Sequence, residues 1–248
     1  MSFDERIKKL NEYIQEANSI VFFGGAGVST ASGIPDFRSK DGLYNTKDAQ
    51  FEEYSPEYLL SRSALLENPK IFYEFYRQKL DCRNIEPNYA HFKLAEMENK
   101  NKLSSIVTQN IDGLHQKAGS KNVIEIHGTT VKNYCIACLK EYDKDYIFNS
   151  DELIPLCECG GMIRPNVTLY EEILPHAEWY EANYEIHNCD LLIIAGTSLT
   201  VHPASSLIHS VNNDCKVVLI NRDETRFDNK VDLLFHEDIN EVFSRIEV

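Results

Sequence analysis

Basic residues are scarce in this chain. Lys and Arg number 25 against 39 Asp and Glu, giving a formal charge of −14. A surface of that sign repels phosphate backbones, so general nucleic-acid binding is not expected. It suits lysine-rich protein segments, although acidic solubility accounts for the same charge. Long apolar runs are also missing. The longest, Leu191–Ala195, falls far short of the roughly 20 residues that span a bilayer, so no membrane partner is expected. An apolar leader is absent as well: Asp4, Glu5, Arg6, Lys8 and Lys9 occupy the stretch where a secretory h-region would lie. The chain therefore reads as cytoplasmic. There is no internal repeat and no low-complexity linker.

What is present fits one sizeable α/β domain with a smaller insert, since 248 residues at 43% hydrophobic and 26% charged can bury a large core. Ser2-Phe3-Asp4-Glu5 has the form of a capping box, and Phe3, Ile7, Leu10, Ile14 and Ala17 follow at helical spacing. The short, wholly apolar run Ile20–Phe23 and the similar, largely apolar runs Leu103–Thr108, Val123–Ile126, Asp190–Ala195 and Lys216–Ile220 read as strands covered on both faces. Helical patterns lie between several of them. Pro69 opens one, with Ile71, Phe72, Phe75 and Leu80 inward. Pro203 opens another, with Leu207, Ile208 and Val211 inward. A last one carries Ile239, Val242, Phe243 and Ile246. Strands alternating with helices predict a Rossmann-like, doubly wound parallel sheet, whose ligands bind beyond the carboxyl ends of the strands. The expected division is 1–128 with 166–248 for this domain, including a helical segment at about 40–100, and 129–165 for an insert.

Gly24-Gly25-Ala26-Gly27-Val28-Ser29-Thr30-Ala31-Ser32-Gly33 follows the first strand. Glycines there let backbone approach a pyrophosphate, whose charge meets free N–H groups at a helix start. A tight strand-to-helix turn explains the same residues. Thr30 replaces the third glycine of the usual fingerprint, and no acid is placed about 20 residues on to grip a ribose. Both features argue against hydride transfer. Gln109, Asn110 and Asp112 end the Leu103–Thr108 strand, and His127 follows the next one. Each has an ordinary turn-forming or structural reading, but four such groups at adjacent strand ends favour chemistry.

The insert contains Cys135-x2-Cys138 and, after 18 residues, Cys157-x-Cys159, a four-thiolate set suited to tetrahedral zinc. All four ligands being protein sulfurs, the ion would be structural. Cys82, Cys189 and Cys215 lie apart and read as buried thiols.

Residues Gly25-Ala26-Gly27-Val28-Ser29 and Ser32-Gly33-Ile34-Pro35-Asp36-Phe37-Arg38 resemble the signature of the sirtuin family. The resemblance continues through Thr108–His115, Glu125-Ile126-His127-Gly128 and Gly196-Thr197-Ser198-Leu199, covering most of the chain in family order. Departures are Gly24, where Thr or Ser is usual, and the single residue inside Cys157-x-Cys159.

What the resemblance implies is NAD-dependent deacetylation of acylated lysine in proteins or peptides. The acyl oxygen attacks C1′ of the nicotinamide ribose, nicotinamide leaves, and the acyl group ends on ADP-ribose. His127 would be the general base, which suits a group titrating near neutrality. Asn110 would orient the ribose and a water, Gln109 would meet a ribose hydroxyl, and Asp112 with Ile111 would hold the carboxamide. Gly25, Ala26, Gly27 and Thr30 would border the cofactor. Phe37 would shield the reacting face, Arg38 would contact phosphate, and Asp36 resembles deacetylases. Gly196, Thr197 and Ser198 would bind phosphate or the adenosine ribose, Asn221 that ribose, and Asp238 would lie near adenine. Arg164–Glu172 resembles the segment that pairs with substrate backbone. Leu169 and Tyr170 stand there for the usual aromatic pair and Glu171 for a common glycine. Val167 would line the acyl-lysine tunnel, with Val201 flanking the peptide. No Tyr-x-x-Arg pair that would hold an acidic acyl group is evident, which favours a short neutral one. Alternatives are mono-ADP-ribosyl transfer, a preference for longer acyl chains, a zinc-ribbon interaction module and, more distantly, a dehydrogenase.

Overall fold

A computed structural model describes residues 1–37, 42–43 and 49–248. The strands are β1 (Ile20–Gly24), β2 (Leu103–Thr108), β3 (Val123–Glu125), β4 (Gly128–Cys135), β5 (Glu141–Asp143), β6 (Ile163–Val167), β7 (Leu191–Ala195), β8 (Lys216–Ile220) and β9 (Leu233–Phe235). Six of them form a parallel sheet in the order β3-β2-β1-β7-β8-β9. Counting only those six, the order is 3-2-1-4-5-6, the doubly wound arrangement whose direction of winding reverses between β1 and β7. All five apolar runs became strands of this sheet. The sixth strand, β9, has only three residues and was not expected.

The sheet is covered on both faces. Helices Phe3–Glu16, Tyr89–Asn99 and Ile239–Ser244 bury Leu10, Leu94 and Phe243 against Phe22, Ile193 and Val218. Helix His176–Asn188 and the 3-10 helix Ala204–Ser210 bury Ile186 and Leu207 against Phe23, Ile194 and Leu219 on the other side. Each fully buried side chain of this size contributes roughly 1.5–3 kcal/mol. The first helix has the expected capping box, with Ser2 accepting from Glu5 N and the Glu5 carboxylate accepting from Ser2 N.

The helix opened by Pro69 runs to Lys79 and is apolar on two sides. Phe75 packs with Leu43, Phe51 and Leu59, whereas Phe72, Tyr73 and Tyr76 pack towards the cysteine module. Period reading named Ile71 and Leu80, which are only half-buried, and passed over both tyrosines. The helix is sandwiched between two clusters, so a single inward stripe does not describe it. The Tyr73 hydroxyl donates to Ile163 O at 2.6 Å and so ties this helix to β6.

The insert is a three-stranded antiparallel sheet, β5-β4-β6, with one short helix at Asp145–Asn149. Its apolar side is not self-sufficient. Cys135, Cys157, Ile163 and Val167 share one cluster with Ala64, Leu65, Phe72 and Tyr76 from the helical segment.

His91 and His115 lie together in the core with ring centroids 4.7 Å apart, both essentially inaccessible. Burial lowers His91 to about 4 and pulls His115 well below its usual value, with His91 adding to the second shift. Both are therefore neutral when folded, while the unfolded chain takes up their protons below about pH 6.5. Stability must then fall as pH drops through the window from 6.5 towards 4, by about 1.4 kcal/mol per pH unit for each imidazole. Urea midpoints at pH 7 and pH 5 should show a drop in the native chain that is markedly smaller in His91→Leu. Equal drops would contradict this.

Candidate active site

The register Gly24↔Ala195 sets the carboxyl ends of β1 and β7 side by side, so the loops leaving them must cross at the switch point. They cross at backbone contact. Gly25 N donates to Ala195 O at 3.2 Å and Gly27 N to Gly196 O at 2.8 Å. A Cβ on Gly27 would sit 2.7 Å from Gly196 Cα, and one on Gly196 would collide with Val28 N. Gly196 also has φ +60°, a region that side chains resist.

Beyond the loop, the expected helix start is replaced by two 3-10 turns, Ala26–Val28 and Thr30–Ser32. Amides of Gly25, Gly27, Val28 and Ser29 are spent on backbone carbonyls. The physical reason is the tight crossing, which folds the chain back before a helix can begin. The loop after β1 thus does not present a helix N-terminus.

Next to this crossing stand the ends of β2 and β3. Gln109 N donates to Gly24 O, and its side-chain amide donates to Thr197 Oγ1 at 3.1 Å, spanning β2 to β7. Asn110 Nδ2 donates to Ser29 Oγ at 3.1 Å, and that hydroxyl donates to Asp112 Oδ2 at 2.7 Å. The second Asp112 oxygen accepts from Leu114 N. Burial raises the Asp112 carboxyl above its usual range, and the Leu114 and Ser29 hydrogen bonds partly offset that. Ser29 is the joint between two loops. Sequence reading quoted it only within a motif, since a hydroxyl among glycines carries no signal of its partners.

His127 follows β3. Its Nδ1 lies 2.9 Å from Gln109 O. A carbonyl can only accept, so Nδ1 carries the proton and Nε2 holds the lone pair. Burial lowers this imidazole, and the bond to Gln109 partly restores it. Neutral His127 is therefore the form present near pH 7, as a proton acceptor requires. His127 O accepts from Thr168 N at 2.8 Å, which sets the exit of β6 beside the ring's own backbone.

That exit, Val167–Glu172, is pinned. Arg164 makes a bidentate pair with Glu172 at 2.5 and 2.9 Å, and Glu172 also accepts from Leu169 N. Although burial opposes ionisation, these bonds hold the Glu172 carboxyl below its usual value. Tyr170 N donates to Leu60 O, and Arg62 N donates to Tyr170 O. Glu171 has φ +72°, which explains why glycine is common there, and its carboxylate accepts from Ser63 N and Oγ at the start of helix Arg62–Glu67.

One cavity of about 710 Å³ joins these parts. Its lining includes Gly25, Ala26, Gly27, Thr30, Asp36 and Phe37, then Gln109, Asn110, Ile111, Asp112 and His127, then Gly196, Thr197 and Ser198. Asn221 and Asp238 border it, as do Val167, Leu169, Tyr170 and Val201. Asp238 also caps helix Ile239–Ser244, accepting from Asn240 N. Arg38 lies outside the described residues. Cys82, Ile85, Thr130 and Arg222 also border the cavity and had no sequence pattern to announce them.

The four module cysteines converge, their sulfurs all lying within 4.8 Å of one another. Cys135–Cys159 and Cys138–Cys157 are at 3.5 and 3.6 Å. Tetrahedral Zn–S bonds of about 2.3 Å place sulfurs about 3.8 Å apart, so the set fits one zinc ion. The shortened Cys157-x-Cys159 pair is accommodated by Gly160 at φ +82° and by Gly161, where a Cβ would lie 2.6 Å from Cys135 Sγ.

Fold and site together define a Rossmann-like, dinucleotide-binding enzyme class with a four-thiolate zinc module. Comparison with known proteins makes this specific. The Sir2 family model matches residues 25–203. The NAD-dependent protein deacetylase of Clostridium tetani is 48% identical over 240 residues, covering 96% of each chain. That of Clostridium acetobutylicum is 46% identical over 243 residues, covering 98% of each. Among solved structures, Sir2 with a p53 peptide and NAD+ matches with TM-score 0.85 at 35% identity, and Sir2 bound to acetylated peptide with 0.83 at 34%, each covering 96% of both chains. The chain belongs to the Sir2 family.

Two outcomes follow from this geometry. Gly196→Ala should weaken NAD binding at least tenfold by calorimetry while zinc content stays at one ion per chain; unchanged affinity would contradict the crossing as cradle. Chelating the zinc should loosen the cluster that contains Cys135, Ile163, Val167 and Leu169, raising the peptide KM more than the NAD KM. Equal effects on both would contradict that link.

Proposed function

We propose that this chain is an NAD-dependent protein-lysine deacetylase in which His127 is the general base and Asn110 its polar partner at the reacting sugar. The acyl group passes from lysine to ADP-ribose, with nicotinamide and O-acyl-ADP-ribose as co-products. The family and the near-full-length deacetylase relatives support the activity. The single observation carrying the residue roles is the fixed tautomer: Nδ1 committed to Gln109 O leaves Nε2 as a base inside the cavity that the glycine crossing and the β6 exit share.

Each residue has a task that follows from its surroundings. The crossing of Gly25–Gly27 with Gly196–Ser198 would seat the dinucleotide phosphates and adenosine ribose, with Asn221 and Asp238 bordering the adenosine. Gln109 would exchange its bond to Thr197 for one to a ribose hydroxyl. Asp112, held by Ser29 and Leu114, would receive the carboxamide with Ile111. Phe37 would keep water from the reacting face. His127 Nε2 would take the proton of a ribose hydroxyl, so that this oxygen can accept the acyl carbon. Thr30, Ala26, Asp36 and Arg38 would border the cofactor.

The acylated peptide would enter between Val167–Tyr170 and Val201, with acyl-lysine beside Val167. Residues 129–165 would serve as the structural zinc module that holds this entrance. Acidic charge of −14 supports lysine-rich protein partners rather than nucleic acid or membrane. A thiolate zinc site suits the reducing cytoplasm.

The test is nicotinamide release with acetyl-lysine peptide, compared with unacylated protein. Release that depends on the peptide is the expected result, with deacetylation itself lost by at least 100-fold in His127→Ala while NAD affinity is kept. Labelling of protein by the ADP-ribose moiety without peptide would instead mark ADP-ribosyl transfer. Because burial lowers the His127 imidazole from its usual value, the acid limb of kcat/KM should lie on the acid side of an ordinary histidine's. An acid limb centred above 7 would contradict neutral His127 as the base.

A further inference from the structure

Cys189 and Cys215 belong neither to the cavity nor to the zinc set. Cys189 closes helix His176–Asn188, and Cys215 immediately precedes β8. The register Leu191↔Lys216 brings them together at the amino ends of β7 and β8, the edge of the sheet opposite the loop crossing. Their Sγ atoms are 3.5 Å apart within the apolar cluster on that face. No carboxylate or imidazole joins them to make a metal set among the described residues; the other contacts are backbone carbonyls, Ile186 O at 3.2 Å and Lys216 O at 3.4 Å.

We propose that Cys189 and Cys215 are a peroxide-oxidisable dithiol site that closes to an intramolecular disulfide. Cys215 is the more accessible of the two, at 7% against 1%. Being the thiol that an oxidant can reach more readily, Cys215 is the attacking sulfur. Its thiolate attacks one peroxide oxygen, the O–O bond breaks, hydroxide leaves, and Cys215 becomes a sulfenic acid. Cys189 sulfur then attacks that sulfur, expelling the hydroxyl as water as the S–S bond forms. The balance is two thiols and one hydrogen peroxide giving one disulfide and two waters.

Closure brings the sulfurs from 3.5 Å to about 2.05 Å. The chain just before Cys215 can supply that shift, because Asn213 and Asp214 are exposed. The bond would staple β7 to β8 without touching the cavity at their other ends, so the enzyme gains stability and keeps its activity.

The full, zinc-loaded chain, freed of reductant, is treated with one equivalent of hydrogen peroxide and digested without reduction. The expected result is a cross-linked peptide pair containing Cys189 and Cys215, with zinc retained and deacetylation unchanged. The thermal midpoint should rise by roughly 5–10 °C and return on reduction. In Cys189→Ala the sulfenic acid at Cys215 should persist and be trapped by dimedone, and the midpoint should not rise. Oxidation of Cys82 or of the four zinc thiols before any 189–215 link forms would overturn the proposal. So would a midpoint rise of the same size in Cys189→Ala. The peptide map of the native chain decides the matter even if the variant folds poorly.

Discussion

The site depends on two loops touching backbone to backbone where the sheet reverses its winding. Gly25 and Gly27 on one loop and Gly196 on the other leave no room for a Cβ between them. That contact fixes how far apart the ends of β1 and β7 lie. The polar groups that follow β2 and β3 are referenced to it. Gln109 bridges from β2 to Thr197, and Ser29, carried on the first loop, joins Asn110 to Asp112. The tautomer of His127 hangs on the carbonyl of that same Gln109. A cavity built from strand ends thus gains rigidity from main-chain contacts rather than from side-chain packing, which is what a preorganised polar site needs.

The exit of β6 is anchored differently. Val167–Glu172 is not part of the parallel sheet; it hangs between the zinc module and the helical segment. One end is set by Thr168 N on His127 O, the middle by Leu60, Arg62 and Ser63 on Tyr170 and Glu171, and the far end by the Arg164–Glu172 pair. Arg164 is almost fully buried, so losing its partner would strand a charge in apolar surroundings, a cost of about 3–5 kcal/mol. Cys135 and Cys157 of the four-thiolate set sit in the same cluster as Val167 and Leu169. A zinc ion held by those four thiols would therefore bear on Val167 and Leu169 through packing alone.

Much of this was legible in the sequence. Five parallel strands could be read as apolar runs because burial on both faces removes the polar alternation. The cavity residues could be read because motifs follow strand ends, and Gly25, Asn110, His127 and Thr197 all line one space. Four things were not legible. Strand β9 is too short for a pattern, and its partner β8 defines it. The 3-10 turns after β1 come from the crossing of two loops distant in sequence, which local propensity does not encode. The Pro69–Lys79 helix packs on two clusters, so Tyr73 and Tyr76 lie off the face that periodicity selects. Arg164 and Glu172 are ordinary charges in the sequence and become an anchor only when β6 places them side by side. In each case the missing information was a long-range contact, never a residue preference.

The most direct measurement is a crystal structure with NAD and an acetyl-lysine peptide bound together. The account predicts His127 Nε2 within hydrogen-bond reach of a hydroxyl on the nicotinamide ribose, with Nδ1 still on Gln109 O and the acetyl oxygen facing that sugar's anomeric carbon. An imidazole turned to solvent, or a dinucleotide seated away from the Gly25–Gly196 crossing, would contradict it.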